Sequence, residues 1–388
     1  MKVRADFLFS IVAMLLCLDS ALKINAAGIY LQAGLLVALV SFILLMLSRD
    51  YLMLPVLRRD RGLILICGVI VLHSYMAHDI FVYLRMLFYM LMFYVVYIFV
   101  SLSVSAADLK KVSFYCILIL CITGILQYGS TNFGGGFQLR GMDAEYYLKN
   151  GDLAYRMRGF FLEPNWFGIV LSSWFYIYFR SVSNYRSFDF LFLFVLTLLC
   201  LILSGNRLIL LFFCAIFFLS LLHGKGWVGY FRLPMLVLLL AAFLFWMLAL
   251  FGGFEDRSAA ARLYTAHQIL SIVGDSSFTE LVFGYGFSTW GEYSNLLEFS
   301  WSNYTFDQEL TRRDNSELYV VLFEMGLLGV FIYAYDAYTL TSKRKANILD
   351  RYFLVFVYIS SFVYPMYTFM MYMMPYMIVR ASLVKEEV

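Results

Sequence analysis

The chain contains little charge and little proline, and both shortages exclude large classes of protein. Only 14% of its 388 residues are Asp, Glu, Lys or Arg, whereas 63% are hydrophobic and 19% are aromatic. Soluble domains are about one-quarter charged and about half apolar, so this composition excludes an ordinary water-soluble enzyme. Five prolines and the lack of any low-complexity tract argue against a disordered or fibrous chain.

The common motifs of metal and nucleotide chemistry are also missing from the sequence. The six cysteines all fall inside apolar runs without a paired CxxC spacing, which predicts small buried side chains rather than disulfides or metal ligands. The four histidines form no HExxH pair, and no GxxxxGK[ST] or GxGxxG loop is present. We therefore expect no metal, no cofactor and no nucleic-acid partner.

Long apolar segments, bounded by charged or turn-forming residues, make up most of the chain. Most of them have the roughly 20-residue length that a helix needs to cross a bilayer. The sequence therefore predicts an all-α polytopic membrane protein, a single integral domain over residues 1–388, with about twelve transmembrane helices, or eleven if 352–384 forms one span and a re-entrant piece. The predicted segments are 7–22, 27–48, 63–78, 80–104, 113–128, 164–180, 187–204, 206–223, 233–252, 316–340, 352–367 and 369–384.

Lys and Arg are distributed unevenly among the segments that connect the apolar runs. With the N-terminus in the cytoplasm, eighteen Lys and Arg residues fall in inside segments, and only Lys23 and Arg207 fall in short outside loops. This positive-inside bias predicts that both termini are cytoplasmic. Lys2 and Arg4 precede the first run as in a signal peptide, but no small-residue cleavage pattern follows, so we expect a retained first helix.

Two long hydrophilic loops, 129–163 and 253–315, lie on the outer face in this topology. Loops of that length within a compact architecture are usually functional. We therefore expect any chemistry on the non-cytoplasmic side, which disfavours ATP or nucleotide sugars as substrates. In the second loop, an amphipathic helix is predicted to begin around Arg262.

Four arginines lie near the outer face, where the topology rule disfavours them: Arg85, Arg158, Arg207 and Arg262. Charges held near a membrane are costly and are functional candidates by default. Guanidinium is always charged and binds phosphate bidentately. Any one of these arginines could instead reach lipid headgroups or pair with a carboxylate, but four on one face favour an anionic substrate carried by a lipid.

The second long loop combines acidic and aromatic residues. It contains nine Asp and Glu against four Arg. Aromatic faces flanked by carboxylates suit sugar rings, because they offer apolar contact together with hydroxyl acceptors. The alternative is an interfacial aromatic belt of the kind that membrane proteins share. The interleaved aromatic residues are Trp290, Tyr293, Phe299, Trp301 and Tyr304.

Five short segments between about residues 158 and 340 follow one another in a specific order. They are RGFFLEPNWFG at 158–168, SGNR at 204–207, AARLYTAHQIL at 260–270, GYGF at 284–287 and DNSELYVVLFEMGLLG at 314–329. Together they resemble the O-antigen polymerase and ligase family, over close to half of the chain. The resemblance implies a multi-pass glycosyltransferase of the bacterial inner membrane that acts on undecaprenyl-diphosphate-linked oligosaccharides at the periplasmic face.

The resemblance also implies roles for individual residues. Arg207 is similar to the Ser-x-x-Arg arginine that faces the donor diphosphate, and Arg262 is similar to the loop arginine that completes that site. Gly284 and Gly286 resemble the family's glycine turn. We expect Arg158 and Arg85 to add diphosphate contacts. The residues expected to contact sugars are Asn165, Trp166, Tyr285, Trp290 and Asn315.

The sequence departs from the family pattern just before the Gly-rich helix. Many members, notably the ligases, have His-Asn there, whereas this chain has Asp314-Asn315. Because that histidine is held to assist the acceptor hydroxyl, its absence favours a polymerase over a ligase. The candidates for the general base are Asp314, Glu163 and His267. His267 lies about one helical turn from Arg262, so the alternative for this residue is a structural role.

Three functions are thus compatible with the sequence. The leading one is an O-antigen or related surface polysaccharide polymerase, whose partners would be a flippase and a chain-length regulator in addition to membrane lipid. The first alternative is the ligase that transfers glycan to a lipid A core. The second is a flippase or transporter for lipid-linked oligosaccharide, although the chain has no internal repeat. A scaffold protein would leave the four arginines unexplained.

Overall fold

The structure is a computed structural model of the chain. The ranges that it describes are 5–18, 23–26, 29–48, 60–74, 91, 94–101, 106–133, 146–149, 152–161, 164–182, 185, 187–222, 257–286, 289–290, 317–342, 348–361 and 370–385. These residues are overwhelmingly helical, which confirms the helical fold class, and two short β-hairpins accompany the helices. The chain divides into a first compact unit of residues 1–59, 91–213 and 369–388, and a second of residues 60–90 and 214–368.

The helices follow the apolar runs of the sequence wherever those runs are described. The segment 94–101 is helical as well, and the predicted span 233–252 lies outside the described residues. In chain order the helices are α1 (Ala5–Leu16), α2 (Ala33–Ser48), α3 (Arg61–Ser74), α4 (Ala106–Asn132), α5 (Pro164–Ser181), α6 (Phe188–Ser204), α7 (Arg207–Leu222), α8 (Arg257–Gly274), α9 (Phe278–Phe283), α10 (Glu317–Thr341), α11 (Ile348–Ser360) and α12 (Met370–Lys385).

Two antiparallel hairpins lie in regions for which the sequence predicted a helix or a loop. The first pairs β1 (Lys23–Ala26) with β2 (Ile29–Gln32), so the helix predicted from residue 27 begins instead at Ala33. The second pairs β3 (Tyr146–Lys149) with β4 (Asp152–Tyr155), with Tyr146 opposite Tyr155. An Asn-Gly pair separates the second pair of strands in the sequence, and this dipeptide favours tight hairpins.

Two described helices are long and apolar enough to cross a membrane by length and composition. They are the 24-residue segments Leu109–Asn132 in α4 and Leu318–Thr341 in α10. The shorter apolar helices are Asp6–Leu16, Ala33–Leu47, Phe188–Ser204 and Arg207–Phe217. At this level the structure supports a membrane protein.

Helix α6 exposes a face of large apolar side chains. Its buried face includes the small polar residues Thr197 and Ser204, whereas large apolar side chains on the opposite face are exposed. Soluble monomers rarely expose a contiguous apolar face of this kind, and such faces mark contacts with lipid or protein. The exposed apolar residues of α6 are Phe188, Leu191, Phe192, Val195, Leu199 and Ile202.

Helix α5 is the central helix of the first unit and packs against α4, α6 and α12. Nearly every residue from Pro164 to Phe179 is buried. Phe175 lies at the centre of an aromatic cluster, with its ring centroid 5.0 Å from that of Phe213 and 6.0 Å from that of Phe190. This cluster packs the C-terminal half of α5 against α6 and α7.

In the second unit, α10 packs against α3, α8, α9 and α11. The helix is interrupted at Gly326, whose φ of 63° and ψ of −161° are not helical. Helix α8 lies in the second long loop, where the sequence predicted an amphipathic helix from around Arg262, and it begins at Arg257. Its Ile269 is buried against Val320 and Phe323 of α10.

Candidate functional site

The segment 156–161 crosses the ends of α4 and α6 and leads into α5. The backbone N–H of Arg158 donates to Gln127 Oε1 of α4 at 2.9 Å, and that of Met157 donates to the carbonyl of Leu203 in α6 at 3.1 Å. Gly159 has a φ of +56°, and a Cβ there would lie 3.3 Å from Thr123 Oγ1. The glycine of the RGFF sequence is therefore required by the close approach of this segment to α4.

Arg158 is directed into the protein. Only 6% of its surface is exposed, and its Nη1 donates to the carbonyl of Phe161 at 3.2 Å, while the Phe161 N–H donates to the Arg158 carbonyl at 3.0 Å. A buried guanidinium must be well hydrogen-bonded to offset its desolvation. The structure thus gives Arg158 a role in holding its own turn, and its contact with a diphosphate stays a prediction.

The SGNR segment forms the tight turn between α6 and α7. Gly205 ends α6 in the left-handed conformation, with φ 64° and ψ 18°, and its N–H donates to the Ile202 carbonyl at 3.0 Å. Asn206 then caps α7, because its Oδ1 accepts from the N–H of Ile209 at 3.2 Å. These two caps stop one helix and start the next within two residues.

Arg207 is the first residue of α7, and its side chain is exposed. The start of a helix carries partial positive charge from its unpaired N–H groups. The positive potential at the N-terminal end of α7 therefore adds to that of the Arg207 guanidinium. Among the described residues no hydrogen bond or ion pair of the Arg207 guanidinium is found. The turn is therefore suited to attract an anion such as phosphate.

Two motifs that are about forty residues apart in sequence meet at this turn. Asn206 Nδ2 donates to the carbonyl of Asn165 at 3.4 Å. Arg156 joins the same partners, since its Nε donates to the Ser204 carbonyl at 2.8 Å and its Nη2 donates to Asn165 Oδ1 at 3.4 Å. We call Gln127, Arg156, Arg158, Asn165, Ser204 and Asn206 the polar cluster. It holds the start of α5 against the turn that carries Arg207.

The GYGF and α10 motifs also meet, in the second unit. The N–H groups of Tyr285 and Gly286 donate to the carbonyls of Phe323 and Glu324 at 3.0 and 2.9 Å. In a continuous helix these carbonyls would accept from residues 327 and 328. The break at Gly326 frees them, and the glycine turn takes the place of the missing helical donors.

Tyr285 and Trp290, which we expected to contact sugars, pack around this break. The Tyr285 ring stacks on Phe323 at 4.7 Å between centroids, and its hydroxyl lies 2.6 Å from Ser276 Oγ. Trp290 is 1% exposed, and its backbone N–H donates to Oε1 of the fully buried Glu324 at 3.3 Å. The burial of Trp290 favours a packing role for its ring over contact with a sugar.

Helix α8 carries Arg262 and His267. Its inner face, with Ala266 and Ile269, is buried, whereas the His267 side chain is exposed. The side chain of Arg262 lies outside the described residues. Arg207 belongs to the first unit and Arg262 to the second, and each is described within its own unit.

The other predicted site residues are placed as follows. Asn165 is buried at the start of α5, and Trp166 beside it is half-buried. Four predicted residues lie outside the described part of the chain, namely Arg85, Glu163, Asp314 and Asn315. Within the described part, no group of three His, Cys, Asp or Glu side chains is arranged to hold a metal ion.

Sequence reasoning missed three members of the polar cluster. Arg156 could have been found, because it lies two residues before Arg158 in the same outer loop. Asn206 was present in the SGNR motif, but nothing in the sequence indicated that it would reach Asn165. Gln127 gave no signal, since it lies at the end of an apolar run.

Comparisons with known proteins add no family to this description. No protein-family model matches the chain, and no curated protein shows significant similarity to it. Its function must therefore be argued from its own residues and their geometry.

Proposed function

We propose that the protein is an O-antigen or related surface polysaccharide polymerase of the bacterial inner membrane. In this proposal it has about twelve transmembrane helices with both termini in the cytoplasm, and it joins undecaprenyl-diphosphate-linked repeat units at the periplasmic face. The observation that carries the proposal is the meeting of segments 158–168 and 204–207 at a turn from which Arg207 is exposed.

Glycosyl transfer from a lipid-diphosphate donor requires positive charge beside the leaving group, and in this proposal the turn supplies it. The acceptor hydroxyl oxygen forms a bond to the anomeric carbon, the bond from that carbon to the diphosphate oxygen breaks, and the hydroxyl proton passes to a base. Because the leaving diphosphate gains negative charge, catalysis needs fixed positive charge beside it and a well-placed acceptor. Arg207 and the N-terminus of α7 provide that charge in this proposal.

A second arginine of the proposal is Arg262, whose similarity to the family's loop arginine implies a contact with the diphosphate. Arg262 is placed in α8, and the apolar contacts of Ile269 with Val320 and Phe323 hold that helix on α10. Asp314, Glu163 and His267 are the candidates for the base that receives the acceptor proton.

The lipid nature of the substrate agrees with the surface of the protein. The exposed apolar face of α6 and the spanning length of α4 and α10 support placement in a bilayer. Helix α6 ends at the SGNR turn, so a lipid-linked substrate beside that helix would have its diphosphate near Arg207.

A strain that lacks the gene tests the proposal directly through its lipopolysaccharide. If the protein is the polymerase, electrophoresis will show core bearing a single repeat and no ladder, because flipping and ligation continue. Bare core with polymer still on its lipid carrier would identify a ligase instead. Bare core with single lipid-linked repeats retained inside the cell would identify a flippase.

Complementation of that strain tests the arginines. Arg207→Ala and Arg262→Ala should insert normally but restore no ladder, since each removes positive charge from the proposed diphosphate site. Arg61→Ala is the matched control, because Arg61 is an exposed arginine at the start of α3. It should restore the full ladder. Normal polymer from both site variants would refute the diphosphate site.

A further inference from the structure

Arg156 bridges two helices of the first unit through one guanidinium group. Its Nε donates to the carbonyl of Ser204, the last residue of α6, at 2.8 Å, and its Nη2 donates to Asn165 Oδ1 at the start of α5 at 3.4 Å. The last carbonyls of a helix have no partner within the helix, and cations are favoured beside them. Arg156 therefore completes the end of α6.

The turn after α6 is shaped to receive this guanidinium. Gly205 has a φ of +64°, and a Cβ on it would lie 3.1 Å from Arg156 Nε. The preceding carbonyl, that of Leu203, accepts from the N–H of Met157 at 3.1 Å. The segment around Arg156 thus runs along the end of α6, and a Cβ at position 205 would crowd its guanidinium.

The same bridge fixes the position of Arg207. Asn206 caps α7 through its Oδ1 and donates from its Nδ2 to the carbonyl of Asn165, so both polar groups of its side chain are used. Arg207 follows directly in the chain, at the first position of α7. The backbone position of Arg207 is consequently fixed by the contacts that Asn206 and Arg156 both make with Asn165.

We propose that Arg156 is a positioning residue for Arg207, acting by holding the turn 204–206 against the start of α5. This inference rests on the proposed function, in which Arg207 contacts the donor diphosphate. Two donors on a rigid planar group reach a backbone carbonyl and a side-chain amide at once, and the single ammonium of lysine cannot reproduce that fork. Arg156→Lys therefore keeps the charge but loses the bridge.

The test is a double-mutant cycle on the purified enzyme in lipid nanodiscs. The substrate is the undecaprenyl-diphosphate-linked repeat unit extracted from the deletion strain, and the readout is the rate of chain growth. Arg156→Lys should lower kcat about tenfold or more with a KM change below about threefold, because a misplaced catalytic group loses rate steeply. In the Arg207→Lys background, Arg156→Lys should lower kcat by less than about threefold, because the residue that Arg156 positions is already impaired.

Arg180→Lys is the matched control for loss of an arginine bridge. Arg180 lies at the other end of α5, about 22 Å along the helix, where its Nη1 donates to Ser382 Oγ of α12 at 2.9 Å. It should leave the kcat unchanged. Arg156→Gln, which also loses the bridge, should repeat the effect of Arg156→Lys on kcat while remaining fully folded at the assay temperature.

The outcomes separate this inference from the proposed function. Full activity of Arg156→Lys, or equal losses in the wild-type and Arg207→Lys backgrounds, would overturn the positioning role while the polymerase proposal stands. Loss of folded protein in both Arg156 variants would make Arg156 a folding residue and would also overturn it. Normal chain growth by Arg207→Ala would instead refute the diphosphate site itself.

Discussion

The contact between the glycine turn and the break in α10 offers the most direct test of the structure. Gly284 and Gly326 have φ values of 76° and 63° with ψ values of −173° and −161°, a region that is essentially restricted to glycine. A Cβ on Gly284 would lie 2.4 Å from the carbonyl carbon and oxygen of Glu324, and one on Gly326 would lie 2.5 Å from those of Val282. The atoms that each Cβ would meet belong to the backbone, so no side-chain rotation can relieve either clash.

The expected cost of Gly326→Ala follows from these contacts. Backbone strain in this region costs about 1–3 kcal/mol. If the turn moves away to relieve the clash, the carbonyls of Phe323 and Glu324 lose the donors at 285 and 286, and each unpaired buried carbonyl costs about 1–3 kcal/mol. The two carbonyls together account for roughly 2–6 kcal/mol, a large fraction of the stability of a typical domain, and the backbone strain adds to this loss.

The assay measures unfolding of the detergent-purified protein in two ways, by thermal denaturation and by limited proteolysis of the 253–315 loop. Gly326→Ala and Gly284→Ala should each lower the melting temperature by several degrees and expose the loop to protease. The double variant should cost little more than either single one, because both changes break the same contact.

Gly274→Ala supplies the matched control, since a Cβ at Gly274 would meet nothing within 4 Å. It should be as stable as the wild type or slightly more stable, because alanine favours helix over glycine. A Gly326→Ala variant that unfolds like Gly274→Ala would refute the contact between the turn and α10.

Three further predictions concern chemistry and pH. Asp314→Asn should slow sugar transfer while the lipid-linked substrate still binds, since the amide cannot take up a proton; wild-type turnover would remove Asp314 from the candidate bases. Polymerisation should persist in EDTA, because arginines supply the charge in the proposed mechanism, and activity that is lost and then restored by a divalent ion would contradict it. The side-chain hydroxyl and the backbone N–H of Ser277 donate to Glu280 and lower the pKa of its carboxyl. This stabilisation of α9 is present above the pKa of an unfolded glutamate and is lost as the pH falls through the lowered pKa of the folded state. Amide protection of α9 should therefore decrease in acid in the wild type, whereas in Glu280→Gln it should be low at neutral pH already.

The helices could be predicted from the sequence because their signal is local. An apolar run of spanning length has few other structures open to it, and α4, α5, α6 and α10 lie where such runs predicted them. The hairpin at residues 23–32 was missed because Ile29, Tyr30 and Leu31 continue an apolar run and read equally well as helix or strand.

The contacts of the candidate site could be predicted only in part, because they depend on residues far apart in the chain. The sequence marked the RGFF, SGNR and GYGF segments, but it did not show that Arg158 would be buried while Arg156 bridges two helices. The sequence also showed that the segment forming α10 contains glycines. That Gly326 breaks the helix depends on the arrival of the 284–286 turn, which supplies the donors that a continuous helix would have provided.

The end of α6 and the break in α10 both leave helix carbonyls that need hydrogen-bond donors, and motif segments lie at both places. A helix that ends or breaks inside the protein leaves carbonyls without helical donors, and buried carbonyls need other hydrogen-bond partners. At the end of α6 these partners are Arg156 and the N–H of Met157, and at the break in α10 they are the N–H groups of Tyr285 and Gly286. The motif segments thus satisfy helix backbones as well as carrying the arginines of the proposed site. Substitutions there will act on stability and on rate together, so only measurements that separate the two, such as the cycle between Arg156 and Arg207, can assign a residue to the chemistry.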